Sequence, residues 1–359
     1  MGMARFGSVL DRIMHDAALG VLVQKLHVPL ETLREAMEIR ARGMAEGDPM
    51  SPYHRFSRPK RSGGVRWITA PHDTLKEVQR AIYEQILLPA YEPSAITHGF
   101  IRGRDIRTNA QAHIIDGQLP KSALNIDFKD AFPSVRGKTV YEIFRRLTDS
   151  HEMAMILGYP CTWDSAIPQG APTSPMLLNF ALREFDEKFA ELGRKHGLTV
   201  SRYVDDLTLS SAELERIPDK IFTYTARLGK KFGFMPNMEK VLFVPPRRGP
   251  ISVTGLNLVL DGGENPCVRL PAATRRWFRH TLHYTAHMQP EELTKEQIGT
   301  CVGMVGFARY IHGEMPYELL DPYTVLVELG RLPPLHKLKQ RKWREISKEF
   351  ELAYADLCS

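Results

Sequence analysis

The chain has 359 residues, 43% hydrophobic and 25% charged, which marks it as globular and long enough for two or three subdomains. Its formal net charge of +6 suits a polyanionic partner. No run approaches the roughly 18 apolar residues of a membrane span, residues 1–30 carry charges rather than an apolar signal core, and Cys161, Cys267, Cys301 and Cys358 nowhere stand at CxxC spacing. A membrane span, a zinc knuckle and a dense disulfide framework are therefore not expected, and the expected location is the reducing cytoplasm.

Residues 1–50 read as a helical N-terminal extension. Leu22, Leu26, Leu30, Leu33 and Met37 recur at helical spacing, Pro29 is suited to open a second helix, and Gly43 and Gly47 close the section. Next, residues 53–68 carry Arg55, Arg58, Lys60, Arg61 and Arg66 with no acid, and Gly63-Gly64 predicts a hairpin turn between β-prone flanks. Such a hairpin is either a solvated face or a clamp for phosphates. Leu75, Val78, Ile82 and Ile86 mark an amphipathic helix that should end before Pro89. Thr108–His113 predicts a short helix, with His113 a structural, hydrogen-bonded histidine.

Ala123–Phe128 predicts a strand that delivers Asp127 at its end, and the chain turns away over Lys129–Val135. Ile167–Pro175 is a rigid Pro/Gly loop that lets backbone approach a ligand and feeds a helix over 176–192. Thr199–Arg202 and Leu207–Ser210 are β-prone, so Tyr203-Val204-Asp205-Asp206 predicts the tip of a hairpin. Adjacent carboxylates repel unless a cation neutralises them, and their oxygens suit Mg²⁺. A bare Asp-Asp is usually a solvated turn, and a lone Asp at a strand end is usually a cap. Two-metal phosphoryl chemistry needs carboxylates converging from separate strands, which Asp127 with Asp205 and Asp206 would supply.

A helix over 221–232 and a strand over 238–243 follow, then a linker at Pro245–Pro250 and a β-rich stretch at 251–259. The remainder predicts mainly helix. Arg275, Arg276 and Arg279 form one basic cluster; Arg331, Lys337, Lys339, Arg341, Lys342 and Arg344, with Trp343, form another. Both suit a nucleic-acid backbone, or a solvated ion-paired helix given Glu345, Glu349 and Glu351.

Taken in order, Asp127, the Gln169–Pro175 loop, Tyr203–Asp206 and Lys240 resemble the palm and fingers of a reverse transcriptase over roughly residues 60–260. Asn109-Ala110-Gln111-Ala112-His113 resembles the NAxxH signature of bacterial retron reverse transcriptases, and Val253-Thr254-Gly255 resembles their VTG triplet. The resemblance implies an α+β right-hand polymerase. Fingers and palm, with an antiparallel sheet, would span 51–246, and a mainly helical, RNA-binding thumb would span 247–359. It implies that Asp127, Asp205 and Asp206, with the Phe128 carbonyl, hold two Mg²⁺ ions. Lys60 and Arg66 would grip the β- and γ-phosphates, and the amides of Asp130 and Ala131 would face the triphosphate. Phe132 would be the steric gate, Gln169 would lie beneath the incoming sugar and base, Lys240 would act as general acid near the leaving group, and Gly255 would mark the primer grip.

The implied activity is RNA-directed DNA synthesis from dNTPs on a structured non-coding RNA. A guanosine 2′-hydroxyl would prime it, giving a branched 2′,5′-linked RNA–DNA hybrid (msDNA), in antiphage defence with an effector protein. Val204 stands where retron enzymes more often show Ala, and Asp-Phe-Lys-Asp-Ala-Phe is nearer group II intron and retroviral patterns. The alternatives are another stand-alone bacterial reverse transcriptase, of group II intron or abortive-infection type, and a catalytically silent RNA-binding scaffold.

Overall fold

A computed structural model describes residues 16–42, 51–59, 65–244 and 249–334. Helices α1 (Asp16–Leu26) and α2 (Leu30–Ala41) bury Leu22, Leu26, Leu33 and Met37, as their spacing predicts; Leu30 is only half-buried, and Leu19 joins the core as well. Strands β1 (Tyr53–Pro59) and β2 (Val65–Pro71) pair antiparallel, from Tyr53 opposite Pro71 to Pro59 opposite Val65. The hairpin turn, with Lys60, lies outside the described residues. Helix α3 (Asp73–Ile82) buries Leu75, Val78 and Ile82, then continues through a π turn at Tyr83–Leu87 to Ala90. The sequence predicts a stop before Pro89. Instead Pro89 falls in the first turn after the π turn, where its missing N–H is tolerated.

Helix α4 (Ile106–Gln111) is capped by Asp105, whose carboxylate accepts from Thr108 N at 2.9 Å. Strand β3 (Ser122–Lys129) leads into a single turn, α5 (Ala131–Ser134), and helices α6 (Gly137–Thr148), α7 (His151–Gly158) and α8 (Ser174–Lys195). The hairpin β4 (Thr199–Tyr203) and β5 (Asp206–Ser211) precedes α9 (Asp219–Lys231), β6 (Met235–Pro236) and β7 (Leu242–Val244). These strands form one antiparallel sheet, ordered β4-β5-β3-β6, with β7 also pairing with β3.

Strand β3 is buried almost throughout because its two faces serve different cores, as strand alternation allows. Leu124, Ile126 and Phe128 enter the larger core with Phe185 and Phe189 of α8 and Ile221 of α9. Ala123 belongs to a second core, and Asn125 Nδ2 donates to Ser252 O at 3.0 Å. That second core joins a sheet of β8 (Ile251–Val253), β9 (Leu256–Asp261) and β10 (Asn265–Arg269) to α10 (Ala272–His287), α11 (Lys295–His312) and α12 (Tyr317–Glu328). Ile106 and Ala110 of α4 are buried in it.

Three expectations are corrected here. The strand over 238–243 begins only at Leu242, because Asn237 accepts from Glu239 N on its side chain and from Lys240 N on its carbonyl, making Met238–Lys240 a turn. Strand β10 was not read from the sequence; Gly262 and Gly263, at φ +59° and +89°, reverse the chain into it. Two cations of the basic clusters serve the fold. Arg275 pairs with Glu318 at 2.9 Å, and Arg331 donates to the carbonyls of Thr285, Ala286 and Met288, closing the C-terminal end of α10. Arg276 and Arg279 remain exposed, and Lys337–Arg344 lie outside the described residues. No described helix is long and apolar enough to cross a membrane.

Candidate active site

The β4–β5 hairpin turns through Val204 and Asp205, with Tyr203 opposite Asp206. Val204 has φ +60°, a costly conformation for a β-branched residue. A buried arginine holds it there. Arg202 Nη1 donates to Val204 O at 2.7 Å and to Asn179 Oδ1 at 3.0 Å, while Nε and Nη2 meet the two oxygens of Asp186 at 2.6 and 2.5 Å. Thr97 Oγ1 donates to Asp186 Oδ2 at 2.8 Å, and Asn179 Nδ2 to Gly99 O at 3.1 Å. Burial opposes the guanidinium charge, but Asp186 outweighs it and the Arg202 pKa is raised. Sequence reasoning missed this support. One signal was present: Asp186 interrupts the apolar face formed by Leu182, Phe185 and Phe189.

Asp127 of β3 stands directly opposite Asp206 of β5, so both side chains leave the same face of the sheet. Phe128 N donates to Asp205 O at 3.1 Å, closing the ladder at the turn. Asp127 is 8% exposed and the other two acids are half-buried. Phe128 faces the opposite way, between Phe185 and Phe234, at ring-centroid distances of 5.3 and 5.4 Å. Lys240 Nζ lies 2.8 Å from Asp127 Oδ2, brought there by the Asn237 turn, in which Asn237 N donates to Asp127 O at 2.7 Å. Lys240 is therefore placed beside a carboxylate of the expected acid set. Among the described residues no group of three or more His, Cys, Asp or Glu side chains is already arranged to hold a metal ion. The donor set nonetheless suits Mg²⁺: hard carboxylate oxygens only, two of them on directly opposed residues.

The other expected residues fall around this point. Asp130 is exposed in the left-handed region, φ +49°, and its carbonyl accepts from Ser134 N at 3.0 Å. Ala131 is buried, and Phe132 is half-buried against the larger core. Gln169 O accepts from Thr69 N at 2.7 Å, and Gly170, at φ +126°, lies so near β2 that a Cβ would be 2.9 Å from Thr69 O. The Gln169–Pro175 loop is thus laid on the hairpin strand that carries Arg66, which pairs in register with Arg58. Lys60 lies outside the described residues. His113 is fully buried, its Nδ1 2.6 Å from Ser210 Oγ and its Nε2 2.7 Å from Ser201 Oγ, which makes it the structural histidine that was expected.

Residues 58–258 match the family described as "Reverse transcriptase (RNA-dependent DNA polymerase)". The chain belongs to the reverse transcriptase family, the RNA-directed DNA polymerases, and its relatives make it one of retron type. It is 30% identical to the retron Mx65 reverse transcriptase of Myxococcus xanthus over 342 residues, covering 88% of this chain and 72% of that one. It is 28% identical to the retron Mx162 reverse transcriptase of the same organism, covering 74% of this chain and 59% of that one. A solved telomerase from Candida albicans, in complex with a fragment of telomeric RNA, matches at 11% identity and TM-score 0.45, over 85% of this chain and 60% of that one. The mixed α+β content accords with the right-hand polymerase fold, and the family is generally dependent on a divalent metal.

Proposed function

We propose that Asp127, Asp205 and Asp206 are the catalytic carboxylates of this polymerase and that its template is a structured non-coding RNA. The observation that carries the reading is the β3–β5 register, with Asp127 opposite Asp206 and Phe128 N bonded to Asp205 O. Two Mg²⁺ ions held by these carboxylates and the Phe128 carbonyl would activate the primer hydroxyl and neutralise the triphosphate. Lys240 offsets the charge of Asp127 and is the proposed general acid for the pyrophosphate. The amides of Asp130 and Ala131 face the triphosphate, and Arg66 with Lys60 grips its outer phosphates. Phe132 fills the space of a ribose 2′-hydroxyl, Gln169 supports the sugar and base, and the β8–β9 turn at Gly255 holds the primer terminus.

In this reading, residues 51–246 are fingers and palm, residues 1–50 extend them, and residues 247–359 are the RNA-binding thumb. The second core, built mainly from residues beyond 250 with Ile106, Ala110 and Ala123 joining it, supports that division. Priming by a guanosine 2′-hydroxyl yields a 2′,5′-linked RNA–DNA hybrid from dNTPs, in the cytoplasm, as part of antiphage defence with an effector protein. The test is the nucleic acid that copurifies with the protein. Short RNase-resistant DNA joined to RNA through a branch is expected from the wild type and not from the Asp205→Asn, Asp206→Asn double variant. Branched DNA in the double variant removes the catalytic assignment. Protection against phage that survives in that variant favours the scaffold instead.

A further inference from the structure

Helix α4 touches both halves of the molecule. On the palm side, His113 just past its end bridges the two strands of the acid hairpin through Ser201 and Ser210. Burial pushes its pKa down to about 3, so the ring is neutral, with one nitrogen donating and the other accepting. Thr108 Oγ1 of the same helix lies 2.9 Å from His98 Nδ1, and His98 N donates to Arg202 O at 2.8 Å. On the other side, Asn109 Nδ2 donates to Thr254 Oγ1 at 2.6 Å, in the β8–β9 turn. The two short motifs at 109–113 and 253–255 therefore meet. Arg107 donates to Tyr310 O at 2.8 Å, and Tyr310 OH donates to Asp105, tying the helix to α11.

The Asn109–Thr254 contact is maintained against local cost. Thr254 has φ +48°, which glycine would adopt freely, but a glycine there would offer Asn109 no side-chain oxygen. Asn109 is 1% exposed, and its Oδ1 has no hydrogen-bond partner among the described residues. A strained backbone and an unpaired buried oxygen, both at one contact, point to a demand other than stability.

We propose that Asn109 and His113 are positioning residues for polymerisation: α4 sets the distance between the acid hairpin and the β8–β9 turn, and so where the primer terminus stands relative to the carboxylates. This rests on the reading above, in which the acids are catalytic and that turn holds the primer. Neither residue touches substrate. A primer end displaced by a fraction of an ångström slows chemistry while leaving nucleotide and duplex binding in place.

Single-nucleotide incorporation by the full chain tests this, using a DNA primer on an RNA template. Rates are normalised to active sites counted from the burst. Thr254→Val and Asn109→Ala are each expected to lower the maximal rate about 10- to 100-fold, with the Kd for dNTP and for duplex within about twofold. The double variant should be no slower than either single one, because one contact is lost in all three. Thr254→Ser should recover the rate lost in Thr254→Val. Thr254→Gly should melt no lower than wild type and yet be as slow as Thr254→Val, a result that a purely structural role does not produce. A wild-type normalised rate in folded Thr254→Val, or multiplicative losses in the double variant, overturns the proposal. Undiminished incorporation in Asp205→Asn instead removes the underlying reading and the proposal with it, so the two failures are distinguishable.

Discussion

Replacing Gly99 with alanine moves the acid hairpin without altering an acid. A Cβ on Gly99 would lie 2.4 Å from Val204 N, 2.8 Å from Val204 Cγ2 and 3.1 Å from Val204 Cα. Ordinary contact begins near 3.4 Å, so the chain at Val204 has to retreat by about 1 Å (3.4 − 2.4). Rotating a side chain cannot supply this, because the nearest atom is backbone. The retreat is resisted on both sides, since Arg202 holds Val204 O at 2.7 Å and Asn179 holds Gly99 O at 3.1 Å. Overpacking of this kind costs about 1–3 kcal/mol, and a reacting group displaced by about 1 Å loses about 100-fold in rate. The assay is burst-normalised single-nucleotide incorporation beside a thermal melt. Gly20→Ala, with nothing within 4 Å of its added Cβ, is the control and should keep the full rate while gaining up to about 1 kcal/mol. Adding Val204→Ala to Gly99→Ala removes the Cγ2 contact but not the backbone one, so rescue should be partial. A folded Gly99→Ala enzyme with the full rate, or complete rescue by Val204→Ala, refutes the reasoning.

Arg202→Met leaves the Asp186 carboxylate buried without its partner and should cost about 3–5 kcal/mol. An unchanged urea midpoint would show that the ion pair contributes nothing to the fold. Burial holds His113 at about 3 and His98 at about 4, both below their ordinary 6.5. Between pH 6.5 and 4 the unfolded chain therefore binds protons that the folded chain does not. Stability should be full above pH 6.5 and fall as pH drops, by up to about 1.4 kcal/mol per pH unit for each ring. In urea titrations from pH 7 to 5, His113→Gln should make that slope shallower; an unchanged slope contradicts the assignment. Phe132→Val should open space beside the sugar and relax discrimination against ribonucleotides. Unchanged dNTP/rNTP selectivity in primer extension would rule out Phe132 as the gate.

What could be read from the sequence followed simple periodicities. The spacing of Leu75, Val78 and Ile82 marked a helix that buries those residues, and the two β-prone runs flanking Tyr203–Asp206 formed the hairpin. Asp127 was legible as a partner of Asp205 and Asp206 only through their order along the chain, and the register of β3 against β5 supplies the physical reason: one cross-strand pair brings together residues 79 positions apart. The supports of the site were not legible. A fully buried Arg202 looks in sequence like any strand arginine, and its partner Asp186 like any helical acid, because burial is a property of the whole fold. Lys240 reached Asp127 through an Asn237 turn where the sequence suggested continuous strand. Arg331 looked like part of a nucleic-acid-binding face and instead satisfies the last carbonyls of α10.

The supports share a feature that bears on the chemistry. Arg202 holds the turn through Val204 O and is itself neutralised by Asp186, His113 grips serines on β4 and β5, and Asn109 grips Thr254. None of these contacts ends on the oxygens of Asp127, Asp205 or Asp206. An arginine bound directly to those carboxylates would steady them equally well, but it would compete with any divalent cation for the same oxygens. The ion pair on Asp127 comes from Lys240, a compact charge on a flexible stem whose Nζ can swing away from the carboxylate. The rigid cation, Arg202, is thus spent on the Val204 carbonyl and on Asp186, and a movable one, Lys240, sits at Asp127. That division lets the turn be stiff while Asp127 can exchange one positive charge for another.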